Sequence, residues 1–178
     1  MQSRRILLAI CAVLTLSVTG FFVSVQAESQ VPMSQSHVER IRSNCIDAQS
    51  SLSRLHASDA LLRVNRGQLY ESILTKLMEP FNRRATASQL DGAELLTIAT
   101  DYERELGQFR ASYINYEESL SSALNMKCVD QPVVFYDNVA DARAKREIVH
   151  VHTKNLETMI TSYQASFETL AKTVKGTK

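Results

Sequence analysis

The chain has 178 residues, and its formal net charge at pH 7 is +1. This near-balance of charge excludes a bulk electrostatic attraction to nucleic acid or to an anionic membrane surface. Tryptophan is absent, and only five glycines and three prolines interrupt the chain. Such a composition favours long helices in one domain over a many-stranded fold.

The N-terminal segment is typical of an export signal. Arg4 and Arg5 precede a mostly apolar run over residues 6–25, and Val25 and Ala27 match the small residues of a cleavage site. An uncleaved membrane anchor is the alternative, because about 20 apolar residues just span a bilayer.

Both alternatives place the rest of the chain outside the cytoplasm, because the basic N-terminus stays inside. Residues 1–27 are predicted to be the signal peptide or the anchor, and residues 28–35 a linker. The predicted location is extracytoplasmic: secreted, periplasmic or at the cell surface. Contact with a membrane is expected only through the N-terminal segment, if it stays uncleaved.

The first predicted helix covers residues 36–82. Ser36 and Glu39 have the spacing of a capping box, and Pro80 is expected to kink or end the helix near Glu79. Apolar residues recur at alternating steps of three and four, with a shift of register at Leu77. The predicted core positions are Val38, Ile41, Cys45, Ala48, Leu52, Leu55, Asp59, Leu62, Arg66, Leu69, Ile73, Leu77 and Phe81.

The second predicted helix covers residues 92–125. Asp91 is a candidate cap, with Glu94 at the third helical position. An uninterrupted stripe follows, and the hydroxyls of its three tyrosines require a partner or water. The stripe consists of Leu95, Ala99, Tyr102, Leu106, Phe109, Tyr113, Tyr116, Leu120 and Ala123.

The third predicted helix covers residues 132–175. Asp130 is its candidate cap, and Pro132 is tolerated in a first turn. The core stripe runs from Phe135 to Val174 and is broken at Arg146 and Thr153. Seven-residue repeats in all three segments indicate coiled-coil-like packing.

The short connections between these segments favour antiparallel neighbours. The predicted fold is therefore all-α: an elongated, up-down-up, three-helix antiparallel bundle over residues 36–175, coiled-coil-like, after the N-terminal signal or anchor helix.

The mature chain retains two cysteines, Cys45 and Cys128, because Cys11 lies in the predicted signal. The predicted bundle brings both to one end. An even pair in an exported chain indicates a disulfide; two free buried thiols are the alternative.

Charged residues interrupt the apolar stripes near the middle of the bundle. Asp59 is expected to pair with Arg63, Arg66 or Arg146. The first interpretation is a buried polar layer that sets the helix register. A ligand or partner site at the waist of the bundle and arginines that extend to solvent are the alternatives. The six predicted residues are Asp59, Arg63, Arg66, Arg143, Arg146 and His150.

The sequence contains little that predicts catalysis or metal binding. His150 and His152 are two positions apart and do not share a helix face. The metalloprotease, phosphate-loop and nucleophile-elbow motifs are absent from the sequence, and a thin bundle is expected to lack a concave pocket. We therefore expect a protein that is not an enzyme and has no catalytic residue, metal or cofactor.

The run from Cys45 to Glu71, CIDAQSSLSRLHASDALLRVNRGQLYE, resembles a segment of uncharacterised exported helical proteins of small-genome bacteria. The general layout of signal, long helices and two cysteines is also similar. No function is attached to that group, so the resemblance implies no site residue.

The leading functional expectation is a non-enzymatic extracytoplasmic structural or interaction module. It would present helix faces to a protein partner or to copies of itself, and nucleic acid is not an expected partner. The alternative is a ligand-binding bundle, a sensor or carrier, that holds a small anion at the polar layer. Its motivation is the local excess of arginine.

Overall fold

The computed structural model describes residues 33–176, and this part of the chain is all-α, with no strand. The predicted signal or anchor, residues 1–27, and the linker up to residue 32 lie outside the described residues. The elements are α1 (Gln35–Ile73), a π-helical turn (Leu74–Met78), α2 (Glu79–Ala87), α3 (Ala93–Asn125) and α4 (Pro132–Gly176). The first three are continuous, so residues 33–176 form three long helical segments.

The helix starts differ slightly from the predicted ones. The side chain of Ser34, not Ser36, caps α1 and accepts a hydrogen bond from the backbone N–H of His37 at 3.4 Å. The cap position of α3 is Gly92 rather than Asp91, and no side chain bonds there. Each start therefore lies within two residues of the predicted position, as is usual for helix ends.

The first helical segment continues past Pro80 to Ala87. The turn before Pro80 is π-helical, and the backbone N–H of Glu79 bonds to the carbonyl of Leu74, five residues back. This wider turn takes up an extra residue. Pro80, which has no N–H, is the second residue of α2 and comes just after this wider turn.

Contacts between α1 and α3 follow opposite orders along the two helices. The side-chain amide of Gln49, near the start of α1, donates to the carbonyl of Met126 at 2.9 Å. Further along α1, the carbonyl of Tyr70 accepts from the hydroxyl of Tyr102 at 3.1 Å. Gln49 reaches the end of α3, whereas Tyr70 reaches its first half.

The α4 helix packs beside both others. The hydroxyl of Tyr163 donates to the side-chain carbonyl of Asn82 at 2.8 Å, which joins α4 to α2. His152 lies 2.7 Å from a carboxylate oxygen of Glu105, between ring Nδ1 and Oε1, which joins α4 to α3. These contacts complete a helical bundle.

The core is built mainly on α3. All nine positions of its predicted stripe are buried, from Leu95 to Ala123. The hydroxyl of Tyr102 reaches a backbone carbonyl as expected. This helix matches its prediction because no polar residue interrupts its period.

The register of α1 shifts earlier than the sequence indicated. The buried residues of α1 are Cys45, Asp59 and Tyr70, and the spacing from Asp59 to Tyr70 is eleven residues. An eleven-residue step corresponds to about 3.67 residues per turn, a stutter relative to the heptad. The predicted core residues Leu62, Leu69 and Leu77 are consequently half or more exposed.

Cys45 and Cys128 lie together at one end of the bundle. They form a disulfide-bonded pair with a Cα–Cα distance of 5.8 Å, which is within the range of disulfides. Both are fully buried beside Ala123 and Phe135. The start of α1 is thus attached to the connection between α3 and α4.

Candidate functional site

A cavity of about 420 Å³ lies where α1, α3 and α4 meet near the middle of the bundle. We call it the waist cavity. From the sequence we expected no concave pocket; the cavity lies along the part of α1 where the buried residues Asp59 and Tyr70 are eleven positions apart. The lining residues are Asp59, Leu62, Arg63, Arg66, Phe109, Tyr113, Tyr116, Arg143, Arg146, Glu147, Val149, His150 and Thr153.

Asp59 is the buried centre of the polar contacts. Its carboxylate accepts bonds from Nε and Nη2 of Arg146 at 2.7 and 3.1 Å and from the hydroxyl of Tyr116 at 2.7 Å. Burial alone would raise the pKa of Asp59, but hydrogen bonds from Arg146 and Tyr116 outweigh it and hold the pKa below its usual value. The carboxylate is therefore ionised and joins all three helices.

The pKa of Arg146 is raised, so both members of the pair are stabilised in their charged forms. Hydrogen bonding to Asp59 raises the pKa of its guanidinium. The pair is bidentate, the geometry that gives arginine–carboxylate contacts their strength and direction. Arg146 is therefore largely committed to Asp59.

The other arginines of the cavity are less engaged. Arg66 pairs weakly with Glu157, with 3.6 Å between Nη1 and Oε1. The guanidinium of Arg63 lies 4.7 Å from the centre of the Tyr113 ring, a cation–π contact. Within residues 33–176, neither Arg63 nor Arg143 forms an ion pair, since the nine pairs present involve other residues.

The structure places all six predicted polar residues on the wall of this one cavity. It differs from the prediction of a buried layer, because only Asp59 is buried. Long side chains on a helix flank reach solvent when the helix stands away from its neighbours. The five exposed or half-exposed members are Arg63, Arg66, Arg143, Arg146 and His150.

The aromatic side of the cavity was not predicted as part of the site. Phe109, Tyr113 and Tyr116 follow one face of α3 and are buried. Burial and the nearby carboxylate of Glu117 raise the pKa of Tyr113 to about 12. The only signal in the sequence was the set of stripe tyrosines, each of which requires a polar partner.

Two histidine–carboxylate pairs flank the cavity. His56 of α1 contacts Glu117 of α3, and Glu105 of α3 accepts from His152 and from the amide of Asn155. Among the described residues, no group of three or more histidine, cysteine or acidic side chains is placed to hold a metal ion. These pairs connect helices rather than form a metal centre.

A second cavity, of about 590 Å³, lies beside the π-helical turn, α2 and α3. Its charged residues are Glu79, Arg83 and Glu103, and Glu79 and Arg83 already form a pair at 3.9 Å. It lacks the convergent charge of the waist cavity, which remains the stronger candidate site.

No helix within residues 33–176 combines the length and apolar character needed to cross a membrane. Comparisons of the chain with protein-family models, with curated proteins and with solved structures found no match. The functional argument therefore rests on the waist cavity.

Proposed function

We propose that this protein is a non-enzymatic extracytoplasmic carrier or sensor that binds a small organic anion in the waist cavity. The observation that carries the proposal is the pair Arg63 and Arg143. Both line the cavity, and neither has an acidic partner among residues 33–176. Among the described residues, the lining of the cavity includes four arginines and two carboxylates, those of Asp59 and Glu147.

An anion gains from this arrangement for an electrostatic reason. Charge-assisted hydrogen bonds from guanidinium groups are among the stronger polar contacts in proteins. Beside buried aromatic rings they are screened less than in bulk water. A volume of about 420 Å³ lies within the range typical of small-molecule sites.

The Asp59–Arg146 pair has a supporting role in this proposal. It holds α1 to α4 at the edge of the cavity and leaves little of the Arg146 charge available. Arg63 on α1 and Arg143 on α4 then face the ligand from two helices. Binding would draw these helices together.

The first experiment is calorimetric titration of the disulfide-bonded protein with a panel of organic carboxylates, organic phosphates and inorganic phosphate. We expect at least one organic anion to bind, and Arg143→Gln to weaken it by about tenfold, the usual size for one lost charge-assisted bond.

Arg54→Gln is the matched control for that titration. Arg54 is an exposed arginine of α1 that donates a hydrogen bond to the hydroxyl of Ser51, and it is not part of the cavity lining. Absence of binding across the whole panel would contradict the proposal, as would an equal effect of the two substitutions.

A second candidate function is a protein-interaction module, favoured by the exposed apolar residues of α1. Leu61 and Leu69 are 64% and 55% exposed, and Leu62 and Val64 are each 50% exposed. Clustered exposed apolar residues are typical of interaction sites. Light scattering with size exclusion would test self-association; a monomer whose capture of envelope proteins is unchanged by Leu61→Glu would contradict this candidate.

The finer architecture and the location belong to the same proposal. We infer that the bundle has up-down-up topology and coiled-coil-like packing, which the order of the contacts along α1, α3 and α4 supports. Export through the N-terminal signal is supported by its basic and apolar pattern. Mass analysis of the protein from its native host tests this, with a mature N-terminus at Glu28 as the expected result.

A further inference from the structure

The chemistry of the waist cavity narrows the class of ligand, an inference that rests on the proposed function. One side of the cavity is cationic and the other is apolar and aromatic. Arg63 and Arg143 are its uncommitted cations, whereas Arg66 and Arg146 already contact Glu157 and Asp59. Phe109, Leu62 and Val149 supply carbon surface to the same cavity.

The number of uncommitted cations favours a single anionic group. One planar carboxylate has two oxygens, which two guanidinium groups can satisfy together. A ligand with a second carboxylate would require Arg146 or Arg66 to release its acidic partner. For Arg146 this would leave Asp59, which is buried, with Tyr116 as its remaining donor.

The apolar side favours a ring over a small hydrophilic ion. Leu62 is half-exposed although apolar, so a ligand body placed against it removes carbon surface from water. Arg63 is held over the ring of Tyr113 at 4.7 Å, and a guanidinium stacks on flat π-systems as well as binding carboxylates. Inorganic phosphate would use the arginines but gain nothing from this surface.

We propose that the waist cavity binds an aromatic monocarboxylate, with its carboxylate between Arg63 and Arg143 and its ring against Leu62 and Phe109. The positive charges of Arg63 and Arg143 fix the orientation of the bound ligand. The ring adds to the affinity that the two arginines supply, because its burial removes carbon surface from water.

The test compares four probes on the disulfide-bonded protein: benzoate, cyclohexanecarboxylate, acetate and inorganic phosphate. Burial of about 100 Å² of ring carbon corresponds to roughly 50-fold tighter binding of benzoate than of acetate. We expect cyclohexanecarboxylate to bind more weakly than benzoate, because its ring is not flat.

Three substitutions locate the ligand. Arg63→Gln and Arg143→Gln should each weaken benzoate binding by about tenfold. Leu62→Ser should reduce the preference for benzoate over acetate. Because Leu62 is half-exposed, we expect this variant to fold. Arg54→Gln should change none of these values. Circular dichroism of each variant establishes that it is folded.

The outcomes separate this inference from the proposed function. Acetate, phosphate or cyclohexanecarboxylate binding as tightly as benzoate would overturn the aromatic ligand and leave anion binding standing. Benzoate binding unaffected by Arg63→Gln and Arg143→Gln would overturn the placement. Binding of none of the four probes would overturn the aromatic ligand, and failure of the wider anion panel as well would overturn the proposed function.

Discussion

The carboxylate of Asp59 and the guanidinium of Arg146 form a bidentate pair across 87 residues of sequence. The two side chains differ in environment: that of Asp59 is 9% exposed and that of Arg146 is 50% exposed. The pair therefore joins a buried anion to a cation that water can reach, and its two halves should respond differently to mutation.

Removal of Arg146 is expected to cost more stability than neutralisation of Asp59. Arg146→Met leaves a buried carboxylate with one hydroxyl donor, which should lower the free energy of unfolding by about 3 kcal/mol. Asp59→Asn leaves a solvated guanidinium and should cost about 1 kcal/mol. Urea denaturation measures both. Equal losses, or losses within about 0.5 kcal/mol of zero, would contradict a structural role for the pair.

The pair also predicts a pH dependence. The folded-state pKa of Asp59 is lowered, so its stabilising contribution is fully present above the unfolded value of about 3.9 and is lost as the pH falls through the lower folded value. The stability difference between the natural protein and Asp59→Asn should therefore be constant at neutral pH and shrink below about pH 4. Denaturation of both proteins at several pH values checks this; a difference that widens in acid would be inconsistent with it.

Cys45 and Cys128 are separated by 83 positions in the sequence, so their disulfide closes a long loop. The chain-entropy relation assigns such a loop a stabilisation of about 4.5 kcal/mol at most. We expect the double substitution Cys45→Ser/Cys128→Ser to lower the free energy of unfolding toward that limit. Alkylation of the denatured, unreduced protein is the companion measurement, and recovery of two free thiols would show that the bond is not made.

Gly67 lies in the interior of α1, where glycine is unfavourable relative to alanine. A methyl group added there meets no atom within 4 Å, so close helix packing does not require glycine at this position. Gly67→Ala should raise the free energy of unfolding by about 0.5–1 kcal/mol. Gly107→Ala on α3, which is equally open, is the matched comparison. A loss of stability for Gly67→Ala alone would reveal a need for a bend in α1.

The α3 helix was predictable because only one register of its sequence is apolar throughout. The second half of α1 was not, because two registers are apolar there: Leu69 and Ile73 continue the heptad, whereas Tyr70 and Leu74 follow an eleven-residue step. Packing against Tyr102 and Phe109 selects the second. Contacts distant in sequence therefore decide what local periodicity leaves open.

The candidate site, too, was predictable from the sequence only in part. Misfit charges in the stripes pointed to Asp59 and Arg146, and both line the cavity. The partner of Asp59 remained open among three arginines, because spacing along helices cannot resolve a difference of one turn. The aromatic wall was missed because Phe109 and Tyr113 fit an ordinary core stripe.

The two ends of α1 are fastened by different means. At its start, the cysteine pair is reinforced by Gln49, whose amide nitrogen lies 3.2, 3.3 and 2.9 Å from the carbonyl oxygens of Ala123, Leu124 and Met126. At the other end, the π-helical turn and α2 pack against α3 and α4. Most helices fray from their ends. In α1, amide protons between residues 60 and 69 should exchange with solvent before those near Cys45 and near Tyr70, so that this helix opens between its two attachment points.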